Sequence, residues 1–423
     1  MGLLPGPLTP SLHEGAVRLG AWAPFPQATS LLAHFTHTTV SAPTVRRKTE
    51  AAGAAYVGVQ TAAVEVLERD AADPPVGPPL QQVSVDGAMV PLVGQGAWAE
   101  VKTLAIGTVQ PPVREDGKLV VHTTELSYFS RLADHETFTR LALVETHRRG
   151  VTTAGVVAAV NDGALWEQGF VDYHRPDAVR VLDWGHAAEY LAAVAATCFG
   201  AGTAAADRRR DAQLRELLEG DPDTALGKLR GLRDELALQA ADAPAQAKLQ
   251  VVTTSLQYLE TRRDQIAYAA FRAAGYPIGS GSVESANKLV VEARLKGAGM
   301  HWAPAHVNPM LALRNIVCND RWAEAWPQIG AALRRRQRDQ LAAKRQRRRA
   351  RRAATPAVTP TPGGPVPPAG PAPAPRHPRR RDQARPQRAT AVTARRPAAN
   401  HLWRCYGQPL NPARSREVGA TVN

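Results

Sequence analysis

Apolar and polar residues alternate through Gln81–Leu92, so Val83 and Val85 fall on one face of a predicted strand and Ser84, Asp86 and Ala88 on the other. Residues 98–109 and 123–129 are rich in β-branched and aromatic side chains and predict two more strands, which short connections join into a meander. The period then lengthens. Phe138, Leu141, Val144 and Glu145 mark the faces of an amphipathic helix over 134–149. Val156–Val160 is apolar without alternation, as in a strand buried on both faces, and Ala178–Leu182 repeats the theme. The order strand, strand, strand, helix, strand, helix, strand predicts an α/β domain.

Around this centre the pattern is helical. Residues 9–70 predict helices broken at Pro24-Phe25-Pro26 and Ser41-Ala42-Pro43, and form a helical region over 1–72. Ser41 stands at a cap position with Pro43 in the first turn, where its missing N–H costs nothing. Arg46, Arg47 and Lys48 follow. They suit either the recognition helix of a helix-turn-helix, offering cations to DNA, or the solvated end of a helical hairpin. The proline-rich stretch 71–79 is a stiff linker and a domain boundary. Residues 191–263 carry leucines at helical intervals and no candidate catalytic residue, which predicts an all-helical insertion over 196–270 within a domain spanning 80–330. Ile278-Gly-Ser-Gly-Ser then feeds a helix, with Ser280 or Ser282 as its cap and Glu284 in its first turn.

Charge separates the end of the chain from the rest. Of 423 residues, 52 are Lys or Arg and 38 are Asp or Glu, a net charge of +14. Residues 331–423 hold 22 of the basic and 3 of the acidic ones, so the first 330 are mildly acidic and the excess sits in a basic, proline-rich tail. Having almost no apolar side chains, this tail cannot offset its ordering entropy and reads as disordered. It suits phosphate contact without sequence information, or is an extension of no function. Cys198, Cys318 and Cys405 are far apart and encode neither a disulfide framework nor a zinc ribbon. No apolar run approaches the ~18 residues that span a bilayer, and the start lacks a signal pattern, so no membrane partner is expected and the location is cytoplasmic.

Three carboxylates on core elements could build a site for a divalent metal, which prefers hard oxygen ligands. Each has a plainer reading. Asp86-Gly87 is a strong hairpin-turn signal, Asp162-Gly163 suits a helix cap, and Glu284 and Lys288 are spaced for a surface ion pair. Asp183, in Asp183-Trp-Gly-His186, competes with Asp162. Neighbouring strands lie ~4.8 Å apart and the next about 10 Å off, so only an acid on the strand beside the first can share a metal with Asp86. In the predicted order that acid is Asp162, and Asp183 is the outer one, able instead to cap the helix that begins near Trp184.

The series Val85-Asp86-Gly, Val160-Asn-Asp162-Gly-Ala, Leu182-Asp183-Trp-Gly-His186, Gly279-Ser-Gly-Ser-Val-Glu284-Ser-Ala-Asn and Arg294-Leu-Lys296-Gly-Ala-Gly-Met-His-Trp302 resembles DDE transposases of bacterial insertion sequences. It is most similar to the ISKra-type group, with a Mutator-like catalytic pattern, over roughly residues 8–326. The resemblance implies an RNase H-like catalytic domain interrupted by an all-helical insertion. It implies Asp86, Asp162 and Glu284 as the three acids, holding two Mg²⁺ ions (or Mn²⁺), with Asp183 and His186 as the acid-and-histidine motif after the second acid. It also implies double-stranded DNA as partner, both the element's terminal repeats and the target. Arg46, Arg47, Lys48, Arg294 and Lys296 are the expected DNA contacts, and a homo-oligomer assembled on DNA, nucleoid-associated in a bacterium, is the expected working form. The family's cysteine-rich segment ahead of Leu8-Thr-Pro-Ser has no counterpart here, and Asn400-His-Leu-Trp-Arg404 departs from its His-Pro-Trp-Arg ending.

Overall fold

The computed structural model describes residues 4, 6–94, 96–239 and 241–353. The motif at 400–404 and the tail beyond residue 353 lie outside the described residues. Three helices come first: α1 (Pro10–Trp22), α2 (Phe25–Thr36) and α3 (Ala42–Asp70). They are followed by β1 (Leu80–Pro91), β2 (Trp98–Val109), a short hairpin of β3 (Val113–Glu115) and β4 (Lys118–Val120), and β5 (Thr123–Arg131). Next come α4 (His135–Arg148), β6 (Val156–Asn161), α5 (Leu165–His174) and β7 (Val179–Leu182). The remainder is helical: α6 (Trp184–Phe199), α7 (Ala204–Glu219), α8 (Pro222–Gln239), α9 (Ala243–Glu260), α10 (Tyr268–Ala273), α11 (Gly281–Ala286), α12 (Ala293–Leu295), α13 (Pro304–Cys318) and α14 (Trp322–Ala353).

The five long strands make one mixed sheet in the order β5-β2-β1-β6-β7. β1 pairs antiparallel with β2 and parallel with β6, while β6 pairs parallel with β7. Helices cover both faces, an α/β arrangement compatible with an RNase H-like fold. The alternation in β1 sorts its side chains as expected. Val83 and Val85 join Phe129, Phe138 and Phe170 in one core layer, and Ala88 and Val90 join Val283, Val290 and Met310 in the other.

Asp86-Gly87 is no turn. β1 continues through it to Pro91, with Asp86 opposite Thr103 and Gly87 opposite Lys102, because eleven residues of antiparallel pairing outweigh a local turn preference. A Cβ at Gly87 would lie 2.3 Å from the carboxylate of Glu100, an exposed side chain that would have to swing aside.

The N-terminal helices share a core with the end of the chain. Val17, Ala21, Ala52 and Ala55 pack with Leu313, Ile316, Trp322 and Ile329. α3 crosses α13 so closely that a Cβ on Gly53 would meet the Pro309 carbonyl oxygen at 2.0 Å. Residues 4–70 thus pack onto the main body, and Ala16, Ala28, Leu32, Val40 and Val45 form a further cluster among the three helices themselves. Helices α7 to α9 likewise pack their leucines onto β6, β7 and α6, joining Val160, Val181, Leu182, Leu191 and Val194 in one cluster. Among the described residues no helix is long and apolar enough to cross a membrane.

Candidate active site

Asp86 is half-buried near the middle of β1. Its Oδ1 accepts the Gly87 backbone N–H at 2.6 Å, and its Oδ2 accepts the Asn287 side-chain N–H at 2.8 Å. Asn287 lies one turn beyond Glu284, at the start of a π-helical turn (Asn287–Glu292) that packs on β1. Burial holds the Asp86 carboxyl above the ordinary carboxylate range, and the Asp162 charge adds to that rise while His186 opposes it. Asp162 and His186 are thus each close enough to Asp86 to act on it electrostatically.

What aligns β6 with β1 at this point is Asn161. Its side-chain oxygen accepts the Val85 N–H at 2.8 Å, and its backbone carbonyl accepts the Asp183 N–H at 2.7 Å. The side chain thereby prolongs the β1–β6 pairing past its last backbone bond, and Asp162 follows on the strand next to Asp86.

Asp162 is held by a network that the sequence did not disclose. Its Oδ1 accepts the Ala164 N–H at 2.9 Å. Glu167, fully buried in the first turn of α5, accepts the N–H groups of Gly163 and Ala164 through Oε2 at 2.9 and 3.0 Å. Burial, then a hydrogen bond to Asp162 and the charge of Asp162, push the Glu167 carboxyl up to about 10, so it is a neutral acid near pH 7. Its Oε1 is buried without a hydrogen-bond partner among the described residues. From the other side, the Tyr258 hydroxyl donates to the Asp162 carbonyl, and Arg262 donates to the Gly163 carbonyl through Nε at 3.2 Å and Nη2 at 2.6 Å. The Arg262 guanidinium lies 3.9 Å from the Tyr258 ring centre, and Tyr258 stacks on Tyr190 at 3.9 Å.

Asp183 plays the capping part. It is buried, with Oδ2 accepting the His186 N–H at 2.9 Å as the N-cap of α6 and Oδ1 accepting the Ser280 N–H at 2.6 Å. The second bond ties the glycine loop to the end of β7, helped by Trp184 N–H to Ile278 O at 2.9 Å and by Gln82 Nε2 to Gly279 O at 3.0 Å. His186 is part-exposed, 3.7 Å from Glu189.

Glu284 lies in the first turn of α11 as predicted, and is exposed. Ser280 is the N-cap, but its hydroxyl makes no capping bond. Among the described residues Glu284 makes no ion pair, and no three His, Cys, Asp or Glu side chains are grouped to hold a metal.

Two half-buried carboxylates repelling each other are a donor set that fits a hard divalent cation, because Mg²⁺ is commonly held by one or two carboxylates with water and substrate phosphate in its other places. The second ion of the expected pair needs Glu284, which stands outside that group.

The expected DNA contacts divide. Arg46 and Arg47 are exposed in the first turns of α3, and Lys48 is half-buried. Arg46 lies 3.9 Å from Glu50, and Arg47 donates to Thr44 at 3.2 Å. Lys296 is exposed and paired with Glu292 at 2.7 Å. Arg294 is no surface contact: it is 1% exposed, donates to the Gly20 carbonyl at 3.1 Å, and lies against the rings of Phe25 and Trp302.

No protein-family model matches the chain, and no curated protein matches it.

Proposed function

We propose that the chain is a DDE-type transposase that cuts DNA at the ends of its own element and joins the freed 3′ hydroxyl to a target strand. The observation that carries the reading is the pair Asp86 and Asp162 on adjacent strands, close enough for the charge on one to raise the other's pKa. In that reading the catalytic domain is RNase H-like and helices α7 to α9 are its insertion. Mg²⁺, or Mn²⁺ in its place, would rest on Asp86 and Asp162, with Glu284 as the third ligand. Bound there, it would activate the attacking water or hydroxyl and stabilise the leaving oxygen of an in-line displacement.

The chain's own groups do the rest. Asn287 and the Gly87 N–H fix the Asp86 carboxylate, and the neutral Glu167 fixes Asp162 without adding a charge. His186, within electrostatic range of Asp86, would meet the scissile phosphate or orient a ligand through a hydrogen bond. Positive charge for the DNA backbone comes from α14. Its first turns pack Ala325, Ile329 and Leu333 into the core, and residues 335–350 project eight exposed Lys and Arg with one Asp. Neutralising phosphates releases counterions, with a slope of about 0.9 per contact in log K against log salt.

The test is strand transfer by the purified chain on end-sequence DNA with Mg²⁺. Cleavage and joining that vanish in Asp86→Asn while DNA binding persists support the reading. Truncation after Leu333 should weaken binding to all sequences alike and flatten its salt dependence. The exposed, ungrouped position of Glu284 favours a second reading, a DNA-binding chain without chemistry that represses its own element. It predicts binding without cleavage under every metal condition. Cleavage without joining would instead indicate a nuclease.

A further inference from the structure

At the far end of β1, about 17 Å along the strand from Asp86 at ~3.4 Å per residue, Phe25, Arg46, Arg294, His301, Trp302 and His306 line a cavity of about 460 Å³. The segment 294–302 builds its wall. Trp302 joins the chain leaving β1 through Val93 N–H to Trp302 O at 2.9 Å and Trp302 N–H to Pro91 O at 3.0 Å. Its indole N–H donates to Leu295 O at 3.0 Å.

Inside this wall Arg294 is 1% exposed, its guanidinium 4.7 Å from the Phe25 ring centre and 5.2 Å from that of Trp302. Only Nε has a partner, the Gly20 carbonyl, and Nη2 has none among the described residues. The charge acting on it is another cation, Arg314, whose own N–H groups are taken by the carbonyls of Val290, Ala21 and Leu289. The carboxylate in the lining, Glu50, is shared between Arg46 at 3.9 Å and His306 at 3.4 Å.

A buried guanidinium with a free N–H, beside a second cation and two imidazoles, calls for an anion. The guanidinium fork fits phosphate in particular. The volume is that of a small-molecule site, too large for an ion alone, and its apolar lining suits a sugar and base. We infer that this cavity binds a nucleoside phosphate, with Arg294 and Arg46 taking the phosphate. Its source, a nucleotide of the bound DNA strand or a free mononucleotide, rests on the DNA reading above; the cavity's chemistry does not.

Calorimetric titration of the full chain in EDTA, on an Asp86→Asn background, tests this apart from catalysis. The probes are inorganic phosphate, a deoxynucleoside, a deoxynucleoside 5′-monophosphate and a single-stranded oligonucleotide. The monophosphate should bind and the deoxynucleoside should not. Arg46→Ala and His306→Ala should each weaken the monophosphate by about 10-fold, the loss of one charge-assisted contact, while Arg69→Ala, exposed and outside the cavity, leaves it unchanged. Arg294→Met should abolish binding, and the rim variants keep the test valid if that variant does not fold. Tighter binding of the oligonucleotide with the same sensitivity to Arg46→Ala identifies the DNA strand as the source, and binding of the monophosphate alone identifies a free nucleotide. Monophosphate and oligonucleotide binding that is absent, or indifferent to Arg46→Ala and His306→Ala, overturns the inference, whatever strand transfer shows.

Discussion

β6 and β7 run parallel and adjacent, and each hands the chain to a helix through an aspartate. The two aspartates meet different ends. Asp183 gives both carboxylate oxygens to backbone N–H groups, of His186 and Ser280, and is spent on holding a helix and a loop together. Asp162 gives one oxygen to Ala164, is braced by a neutral Glu167, and remains near enough to Asp86 to raise its pKa. The same local pattern thus uses both carboxylate oxygens for backbone capping after one strand and only one of them after the next. Position in the sheet decides between them, since β6 adjoins β1 and β7 does not.

Exchange of the two acids for their amides should separate these roles most widely. Asp162→Asn, like Asp86→Asn, is expected to lower DNA cleavage by more than about 100-fold, beyond the 10–100-fold that lost supporting contacts cost at metal sites. Asp183→Asn should keep activity within about 10-fold, because the amide oxygen still accepts one N–H. Equal losses in cleavage assays would erase the distinction.

Stability sharpens it next. Glu167→Ala leaves the Gly163 N–H without an acceptor and the Ala164 N–H with Asp162 alone, and should cost about 3 kcal/mol in chemical denaturation, whereas Glu167→Gln, the isostere of the neutral acid, should stay within about 1 kcal/mol. If Gln is as damaging as Ala, Glu167 is charged and the bracing of Asp162 is misread.

Acid should reach the same side of the sheet. His174 ends α5, buried and neutral, with Nε2 donating to the Thr139 carbonyl and Nδ1 accepting from Thr146, both at 3.0 Å. Burial lowers its pKa from 6.5 to about 4, so the unfolded chain takes up a proton that the native one refuses. Stability is full above pH 6.5 and falls as pH drops from there to 4, by about 3 kcal/mol from this group. His174→Gln should flatten that limb in urea melts at pH 7 and pH 5. Smallest is Tyr258→Phe, which removes the hydroxyl that donates to the Asp162 carbonyl and should cost about 1 kcal/mol.

Much of this arrangement was legible in the sequence. The alternation around Asp86, the unalternating run before Asp162 and the element order gave the sheet and the adjacency of the two acids. The Asp-Gly pair misleads locally because tertiary pairing overrides it. Glu167 looks like an ordinary acid in a helix's first turn, and only its burial beside Asp162 reveals it. Tyr258 and Arg262 reach the site from nearly a hundred residues away, a contact no local pattern encodes. Arg294 reads as a surface cation for the converse reason, since in sequence it stands between the charged Glu292 and Lys296 while its neighbours in space are the rings of Phe25 and Trp302.

In the proposed function Asp86 and Asp162, and not Asp183, would form the acid pair that holds a catalytic cation. Calorimetric titration of Mg²⁺, repeated with Mn²⁺, into the wild type and the variants Asp86→Asn, Asp162→Asn and Asp183→Asn measures this directly. The account predicts that binding is lost in the first two variants and kept in the third. Binding kept by Asp162→Asn and lost by Asp183→Asn would contradict it.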